Sequence, residues 1–318
     1  MIIVTGGAGF IGSQIVKGLN QQGIDDIIIV DDLTDGTQFL NLRDLHFQDY
    51  IDHQAFRELM NRRDPSLKPY LIYHQGACST TTEWNGRFMM DNNFTYSKEL
   101  LHFALHHKAQ FLYASSAAVY GNEQTFSEES TFERPINVYG YSKLLFDQYV
   151  RRLWQSQNDL PQIVGLRYFN VYGPGEQHKG SMASVAWHFH RQILQAGECC
   201  LFQGTQGYTD GEQLRDFIFV NDVVKVNQWL KDNQQVNGIF NVGTGRAQSF
   251  NDVARAVINY LGQGQIRYIE FPDKLKDAYQ SYTQADISRL RQAGYSQQFK
   301  AVTDGVAHYL AELGIKAN

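Results

Sequence analysis

Several things are scarce in this sequence of 318 residues, and each scarcity excludes something. There are three cysteines, Cys78, Cys199 and Cys200, which form neither an even framework nor a Cys-x-x-Cys pair. A disulfide scaffold is therefore not expected, and a reduced, cytoplasmic setting fits the pattern. Basic charge is not in excess: the net charge is -5, with no lysine block or basic tail, so nucleic acid is not an expected partner. Long hydrophobic runs are missing. Stretches such as Ile27-Ile28-Ile29-Val30 are strand-sized and far too short to span a bilayer. The chain enters Ile2-Ile3-Val4 with no charged segment leading into a long apolar core, so no signal peptide and no membrane partner are expected. No zinc-ligand spacing, EF-hand loop or Walker lysine occurs, and no metal is expected. A Gly-x-Ser-x-Gly elbow is likewise missing, which argues against a serine hydrolase. Neither an internal repeat nor a low-complexity stretch is present.

What is present is an ordinary globular composition, 43% hydrophobic and 19% charged, long enough for one large α/β domain or two smaller ones. Strand-like runs alternate with helical patterns. Met1 to Val4 predicts a buried strand, followed by Thr5-Gly6-Gly7-Ala8-Gly9-Phe10-Ile11-Gly12 and a helix through Leu19. Glycines at 6, 9 and 12 permit a tight turn, close backbone approach to a pyrophosphate and close helix-strand packing, with the helix N-terminus aimed at the phosphates. A glycine-rich turn that binds nothing is the bland alternative. The strand-to-helix setting favours dinucleotide binding.

The second strand, Ile27 to Val30, ends in Asp31-Asp32. A carboxylate there accepts adenosine ribose hydroxyls and repels a 2'-phosphate, which favours NAD over NADP. Leu45 to Asp49 is expected as the third strand, placing Asp49 near the adenine end. Leu71 to His74 is the next strand, and Gln75-Gly76-Ala77-Cys78-Ser79 beyond its carboxyl end should flank a cofactor. His74 is read as a satisfied strand-end histidine and Cys78 as a small packing residue. Asn92-Asn93 opens a helical pattern containing Tyr96, Leu100 and Leu101. Phe111 to Ala114 is a strand ending in Ser115-Ser116, and Ile163 to Tyr168 is another. Beyond Phe169 the alternation breaks, which predicts a second, smaller lobe, with Arg215 to Val220 and Gly238 to Val242 as further short strands.

The fold class predicted is α/β: a doubly wound parallel (Rossmann) sheet with a smaller C-terminal α/β lobe. The boundaries expected are 1–170, plus roughly 216–247, for the dinucleotide-binding domain, and 171–215 with 248–318 for a substrate-binding lobe.

Tyr139 and Lys143 lie four residues apart and share a helix face. An ammonium about 5 Å from a phenol, at an effective dielectric near 20, favours the phenolate by roughly 3 kcal/mol, or about two pKa units. That would bring the tyrosine into general acid/base range. A serine at the preceding strand end, Ser116, could bond a substrate oxygen beside it.

The glycine motif, Ser116 and Tyr139-x-x-x-Lys143 resemble the extended short-chain dehydrogenase/reductase family, as do Arg215-Asp216-Phe217 through Asp222 and Asn241-Val242-Gly243-Thr244-Gly245. Further runs resemble the branch of that family that inverts C6 of an ADP-linked heptose. These are Gly76 through Trp84, Met89-Met90-Asp91-Asn92-Asn93, His178-Lys179-Gly180-Ser181-Met182-Ala183-Ser184, Phe271-Pro272-Asp273-Lys274-Leu275-Lys276 and Thr283-Gln284-Ala285-Asp286.

The resemblance implies a tightly held nicotinamide cofactor, usually NADP in that branch, and an isomerase that oxidises C6 to a ketone and reduces it from the opposite face. That branch's product supplies heptose for the lipopolysaccharide inner core, and the resemblance implies the same role here and a homo-oligomer, a ring of five. Tyr139 and Lys179 would be the two acid/bases, supported by Lys143 and Ser116. Cofactor contacts would come from Gly6, Gly9, Phe10, Ile11, Gly12, Asp31, Asp32, Gln38, His53, Gln75, Gly76, Ala77, Cys78, Ser79, Asn92, Lys143, Val171 and Lys179. Substrate contacts would come from Ser116, Asn170, Ser181, His188, Phe202, Gln203, Gly204, Thr205, Arg215 and Tyr279. The chain departs from the pattern at Gln38 and His53, where lysines are expected near the cofactor, and in the long loop Gln206 to Leu214.

Rival readings remain. Dehydratases of the family place an Asp-Glu pair after the strand-end hydroxyl, where this chain has Ala117-Ala118. Another nucleotide-sugar epimerase or a net reductase is an alternative. A non-catalytic NADP-sensing protein is a distant one, since such proteins lose the tyrosine or lysine that this chain keeps.

Overall fold

The computed structural model describes residues 1–272 and 280–317. The chain divides into two compact units. The first comprises Met1–Gly121, Glu133–Arg167 and Val224–Phe240, and the second Asn122–Phe132, Tyr168–Val223 and Asn241–Asn318.

The first unit is built on β1 (Ile2–Thr5), α1 (Phe10–Asn20), β2 (Ile27–Asp31), β3 (Asp49–Asp52), α2 (His53–Arg62), β4 (Leu71–His74), α3 (Gly86–Met90), α4 (Tyr96–His106), β5 (Gln110–Ser116), α5 (Val138–Ser156) and β6 (Ile163–Tyr168). After them come β7 (Asn170–Tyr172), α6 (Val185–Ala196), β8 (Glu198–Phe202), β9 (Leu214–Arg215), β10 (Phe217–Phe219), α7 (Val220–Asp232) and β11 (Gly238–Val242). The chain ends with β12 (Gln248–Ser249), α8 (Phe250–Leu261), β13 (Gln265–Ile269), α9 (Ser288–Gln292) and α10 (Val302–Glu312).

Seven strands form one sheet in the order β11-β6-β5-β4-β1-β2-β3. Pairing from β3 through β2, β1 and β4 to β5 is parallel. This is the doubly wound α/β architecture that the alternation predicts. The chain starts in the middle and winds outward both ways, so the crevice for a ligand lies at the carboxyl ends of β1 and β4. Ile2, Ile3 and Val4 are fully buried, as expected for a central parallel strand covered on both faces.

Three expectations are corrected. The third strand is Asp49–Asp52, not Leu45 to Asp49. It is an edge strand with no buried residue, and Leu45 instead closes a turn by donating its N–H to Leu42. The register pairs Asp31 with Asp52 and Ile28 with Asp49, so Asp49 lies at the end of the strand away from the crevice. The helical segment before β5 starts at Gly86, not Asn92, capped by the Asn85 side chain, which accepts the Phe88 N–H at 3.1 Å. It is interrupted by a π turn at Asp91–Thr95, a form that recurs at functional sites. The stretch expected as one strand from Arg215 to Val220 is split at Asp216: β9 pairs antiparallel with β12, and β10 pairs parallel with β7.

Asp216 is fully buried. It accepts the backbone N–H of Thr244 (2.7 Å), Gly245 (2.9 Å) and Ala285 (3.0 Å), and so holds three segments of the second unit together. In the same unit β8 and β13 form a separate parallel pair. No helix among the described residues is long and apolar enough to cross a membrane.

Candidate active site

The glycine loop following β1 is held in a form that only glycine allows. Gly6 has φ +68°, and a Cβ there would sit 2.5 Å from the Gly76 nitrogen. A Cβ on Gly12 would sit 2.0 Å from the Gly6 carbonyl oxygen. The loop therefore packs backbone to backbone against the Gln75-Gly76 turn after β4 and against the first turn of α1. Gly9 is the cap of that helix and makes no side-chain hydrogen bond to its first turn.

Asp31 shapes this loop. Its Oδ2 accepts the N–H of Ala8 at 2.7 Å and of Gly9 at 3.1 Å, and its Oδ1 accepts that of Asp32 at 2.8 Å. Burial pushes its carboxyl above the usual range, and these hydrogen bonds pull the other way. Asp32 is exposed and accepts both the hydroxyl and the N–H of Thr34, which hold its carboxyl below the usual range. On the other side of the crevice, Asn93 from the π turn grips both backbone groups of Cys78 at 2.9 Å. His74 is satisfied on both ring nitrogens, by Thr5 Oγ1 at 2.7 Å and Ser97 Oγ at 2.8 Å, as its strand-end position suggested.

These elements enclose a cavity of about 290 Å³. Gly6, Asp31, Asp32, Gln38, His53, Gly76, Ala77, Cys78 and Asn92 line it, all named as cofactor candidates from sequence. Thr5, Val30, Phe88 and Tyr96 line it too and were missed. Strand ends and helix faces that read simply as core carried no distinguishing signal. Gly9, Phe10, Ile11, Gly12, Gln75 and Ser79 belong to the flanking turns and helix start rather than to the lining. The side-chain Oε1 of Gln38 and both polar atoms of the Gln75 side chain are buried without a hydrogen-bond partner. Buried polar atoms are normally satisfied, and a polar ligand at this site would satisfy these.

The candidate acid/base residues of the first unit meet where β5 ends beside the start of α5. Asn137 caps α5 by accepting the Gly140 N–H at 2.8 Å, which sets Tyr139 in the first turn. Ser116 hydrogen-bonds the Tyr139 hydroxyl, and its Oγ also accepts the Ala118 N–H at 3.1 Å. Lys143 is buried and donates from Nζ to the Ala114 carbonyl at 2.8 Å.

The electrostatics differ from the sequence argument. Desolvation pushes the Tyr139 phenol above its ordinary value and outweighs the Ser116 hydrogen bond that lowers it, while Lys143 is not among the groups that move it. Desolvation also pulls Lys143 down to about 8, opposed by Asp147 and Cys78. Sequence spacing placed the pair on one helix face but carried no measure of the burial around it.

The remaining candidates belong to the second unit. Asn170 and Val171 lie on β7, facing Phe217 and Ile218 in register. Lys179 and Ser181 lie in the 3-10 segment Gln177–Met182. Burial draws the Lys179 ammonium down and Glu176 draws it up. Fully buried Glu176 binds both flanks of that segment, accepting from the Gly173 N–H at 3.2 Å and the Ser184 hydroxyl at 2.7 Å. His188 lies in the first turn of α6, where Ser184 is the cap. Arg215 is buried with its guanidinium 5.6 Å from the Phe250 ring. Phe202 ends β8 and leads into Gln203, Gly204 and Thr205. Gln203 and Gly204 line a cavity of about 650 Å³ together with Tyr208, Thr209, Asp210 and Glu212 of the long loop, and with Asn251, Arg255 and Tyr268. Tyr279 lies outside the described residues. Among the described residues, no cluster of three or more His, Cys, Asp or Glu is gathered to hold a metal ion.

Comparison with solved structures finds the same architecture over the full length. The ADP-L-glycero-D-manno-heptose-6-epimerase of Helicobacter pylori is 31% identical with a TM-score of 0.83, covering 98% of this chain and 96% of its own. The UDP-glucose 4-epimerase of Thermotoga maritima, solved with UDP-glucose, is 27% identical with a TM-score of 0.82 and 98% coverage of both chains. The UDP-glucose 4-epimerase of Thermus thermophilus, solved as a complex with NAD, is 25% identical with a TM-score of 0.79 and the same coverage. The NAD dependent epimerase/dehydratase family matches residues 2–243. With the doubly wound sheet and a match that spans most of the sequence, the chain belongs to the NAD dependent epimerase/dehydratase family.

Proposed function

We propose that this chain interconverts ADP-D-glycero-β-D-manno-heptose and ADP-L-glycero-β-D-manno-heptose by inverting C6, supplying heptose for the lipopolysaccharide inner core. The chemistry rests on the hydrogen-bonded Ser116–Tyr139 pair with Lys143 one turn away on the same helix. The heptose assignment is supported by the residue runs from Gly76 and from His178, and by the 31% identity to the Helicobacter enzyme.

The C6 hydrogen of a secondary alcohol is not acidic, so direct deprotonation is a poor route to inversion. A nicotinamide ring supplies reversible two-electron oxidation of such an alcohol. The residues fit a dinucleotide: the loop is compressed where a Cβ would collide, α1 starts from a glycine that makes no side-chain cap, and the Gln38 and Gln75 side chains carry buried polar atoms that a polar ligand would satisfy. In this reading Gly6, Gly9 and Gly12 admit the pyrophosphate, and the turn from Gln75 to Ser79, with Asn92, holds the ribose and nicotinamide half. Tyr139 takes the C6 hydroxyl proton from one configuration, with Ser116 orienting the oxygen and Lys143 holding the nicotinamide ribose. Lys179 serves the other configuration. Asn170, Ser181, His188 and the Phe202 to Thr205 loop bind the nucleotide sugar, and Arg215 offers a planar fork suited to its diphosphate.

The cofactor is proposed to be NAD rather than the NADP implied by the resemblance. Asp31 and Asp32 line the cavity, Gln38 and His53 stand where the resemblance expects lysines near the cofactor, one of them suited to a 2'-phosphate, and no lysine or arginine is among its described lining residues. Arg57, whose guanidinium lies 5.5 Å from the Tyr96 ring, is held by Asp91 at 3.0 Å and Glu99 at 2.8 Å. A ring-shaped homo-oligomer of five belongs to the same reading, and sedimentation of the purified protein checks it.

A second reading, epimerisation at C4 of a UDP-sugar, is favoured by the 27% identity to the Thermotoga enzyme. Incubation with each nucleotide sugar separates the two. The first reading expects the C6 epimer from the ADP-heptose with no net change in nicotinamide absorbance. A steady stoichiometric change, or turnover of UDP-glucose alone, contradicts it.

A further inference from the structure

Beneath Tyr139 and Lys143 lies a set of buried charges that the proposed chemistry does not use. Three consecutive residues of β5 are bonded to three residues on one face of α5. Ala114 accepts from Lys143 at 2.8 Å, Ser115 Oγ donates to Asp147 Oδ2 at 3.0 Å, and Ser116 bonds Tyr139. Tyr139, Lys143 and Asp147 are spaced four apart, one turn each.

Asp147 is fully buried and its carboxylate is saturated. Tyr113 donates to Oδ1 at 3.0 Å, and Arg167 donates to Oδ2 from Nε at 2.9 Å and from Nη2 at 2.8 Å. Arg167, also fully buried, reaches on to Glu133 and to the Tyr120 hydroxyl at 3.0 Å, and Glu133 is gripped in turn by Arg151. A buried ion pair of this kind is weak support for stability, because desolvation cancels much of its attraction. Its placement suggests another use.

We infer that Asp147, anchored by Arg167, is a positioning residue for the Tyr139–Lys143 pair: it ties the strand end that carries Ser116 to the helix that carries both. It also presents a fixed negative charge to Lys143. The other titratable groups facing that ammonium are Cys78 from the turn after β4, buried His74 from β4 itself and Tyr139 on the same helix. Asp147 is the larger of the two influences that oppose the desolvation of Lys143, and Arg167 is not among those that move it. Removing Asp147 therefore leaves Lys143 to lose its proton at lower pH.

The inference rests on reading Tyr139 and Lys143 as the reacting pair. The test compares pH profiles of turnover for the wild type, Asp147→Asn and Asp147→Glu. It adds a direct titration of Lys143 through its ε-carbon resonance in 13C-lysine protein, assigned by its loss in Lys143→Met. Asp147→Asn should move the alkaline limb and the Lys143 titration down by about one pH unit, equivalent to about a tenfold change in protonation. Asp147→Glu should restore both, a recovery that mere structural support would not produce in the pH profile. If Asp147→Asn does not fold, Asp147→Asn combined with Arg167→Met removes the buried pair together and should shift the titration in the same direction. A limb and a titration unmoved in the folded variant overturn the inference. Full turnover in Tyr139→Phe would instead overturn the reading of the pair itself, so the two failures are distinguishable.

Discussion

Lys143 gives its ammonium to the carbonyl of Ala114, 2.8 Å away, two residues before the serine that bonds Tyr139. The lysine is thus held by the strand while the tyrosine is held by the strand's terminal serine. The pair is oriented by β5 as much as by the helix that carries it. Replacing Tyr139 by Phe removes the proposed proton acceptor and leaves this framework in place. Turnover should fall by about a hundred- to ten-thousand-fold, with the circular dichroism spectrum and dinucleotide binding kept. Stopped assays of the epimer ratio check this.

Burial of Lys143 should make it a cost to the fold at neutral pH. Its value falls from 10.5 to about 8, so between those two pH values the unfolded chain holds a proton that the folded chain has released. Stability contributed by this group therefore rises with pH across that window, and below pH 8 the charged lysine destabilises by up to about 3 kcal/mol. Lys143→Met should be inactive yet more stable than the wild type at pH 7, with the gain shrinking toward pH 10. Urea melts at the two pH values measure it. A loss of stability at pH 7 would show that the Ala114 hydrogen bond outweighs the desolvation.

Gly12 allows no side chain, because a Cβ would sit 2.0 Å from the Gly6 carbonyl oxygen. Gly12→Ala must push the glycine loop off the first turn of α1. The expected result is a loss of dinucleotide affinity of at least about tenfold and a destabilisation of about 1–3 kcal/mol. Titration of the stripped protein and a thermal melt give the two numbers.

Cofactor choice follows from the acid-lined end of the cavity. The dinucleotide released from purified protein should be NAD, and stripped protein should bind NAD at least about tenfold more tightly than NADP. The combination Asp32→Asn with Gln38→Lys removes one carboxylate and adds a cation, and should narrow the gap. Mass spectrometry of the released nucleotide and calorimetry check the two statements.

The sheet was legible because its central strands are short apolar runs with few other readings, such as Ile2-Ile3-Val4 and Ile27-Ile28-Ile29-Val30. Asp49–Asp52 was not, because an edge strand buries no residue fully and leaves no periodic signal, while Leu45 and Phe47 beside it carry apolar side chains outside the ladder. The start of the Gly86 helix was hidden by the π turn at Asp91–Thr95, which breaks the 3.6-residue pattern. In the candidate site, residues contiguous with glycine or serine motifs could be named from spacing. Asp147 and Arg167 could not: they are twenty residues apart in sequence, and nothing in the spacing shows that a helix residue and a strand residue meet. The Tyr139–Lys143 argument weighed attraction between charges but not the desolvation that dominates both groups.

The central claim is inversion at C6 through a ketone, and isotope tracing in deuterated water tests it most directly. Purified protein is incubated with ADP-D-glycero-β-D-manno-heptose in deuterated water, and the products are separated and read by mass spectrometry and proton NMR. The account predicts the L-glycero epimer with its original hydrogen retained at C6. Deuterium at C6, or no epimer formed, would contradict it.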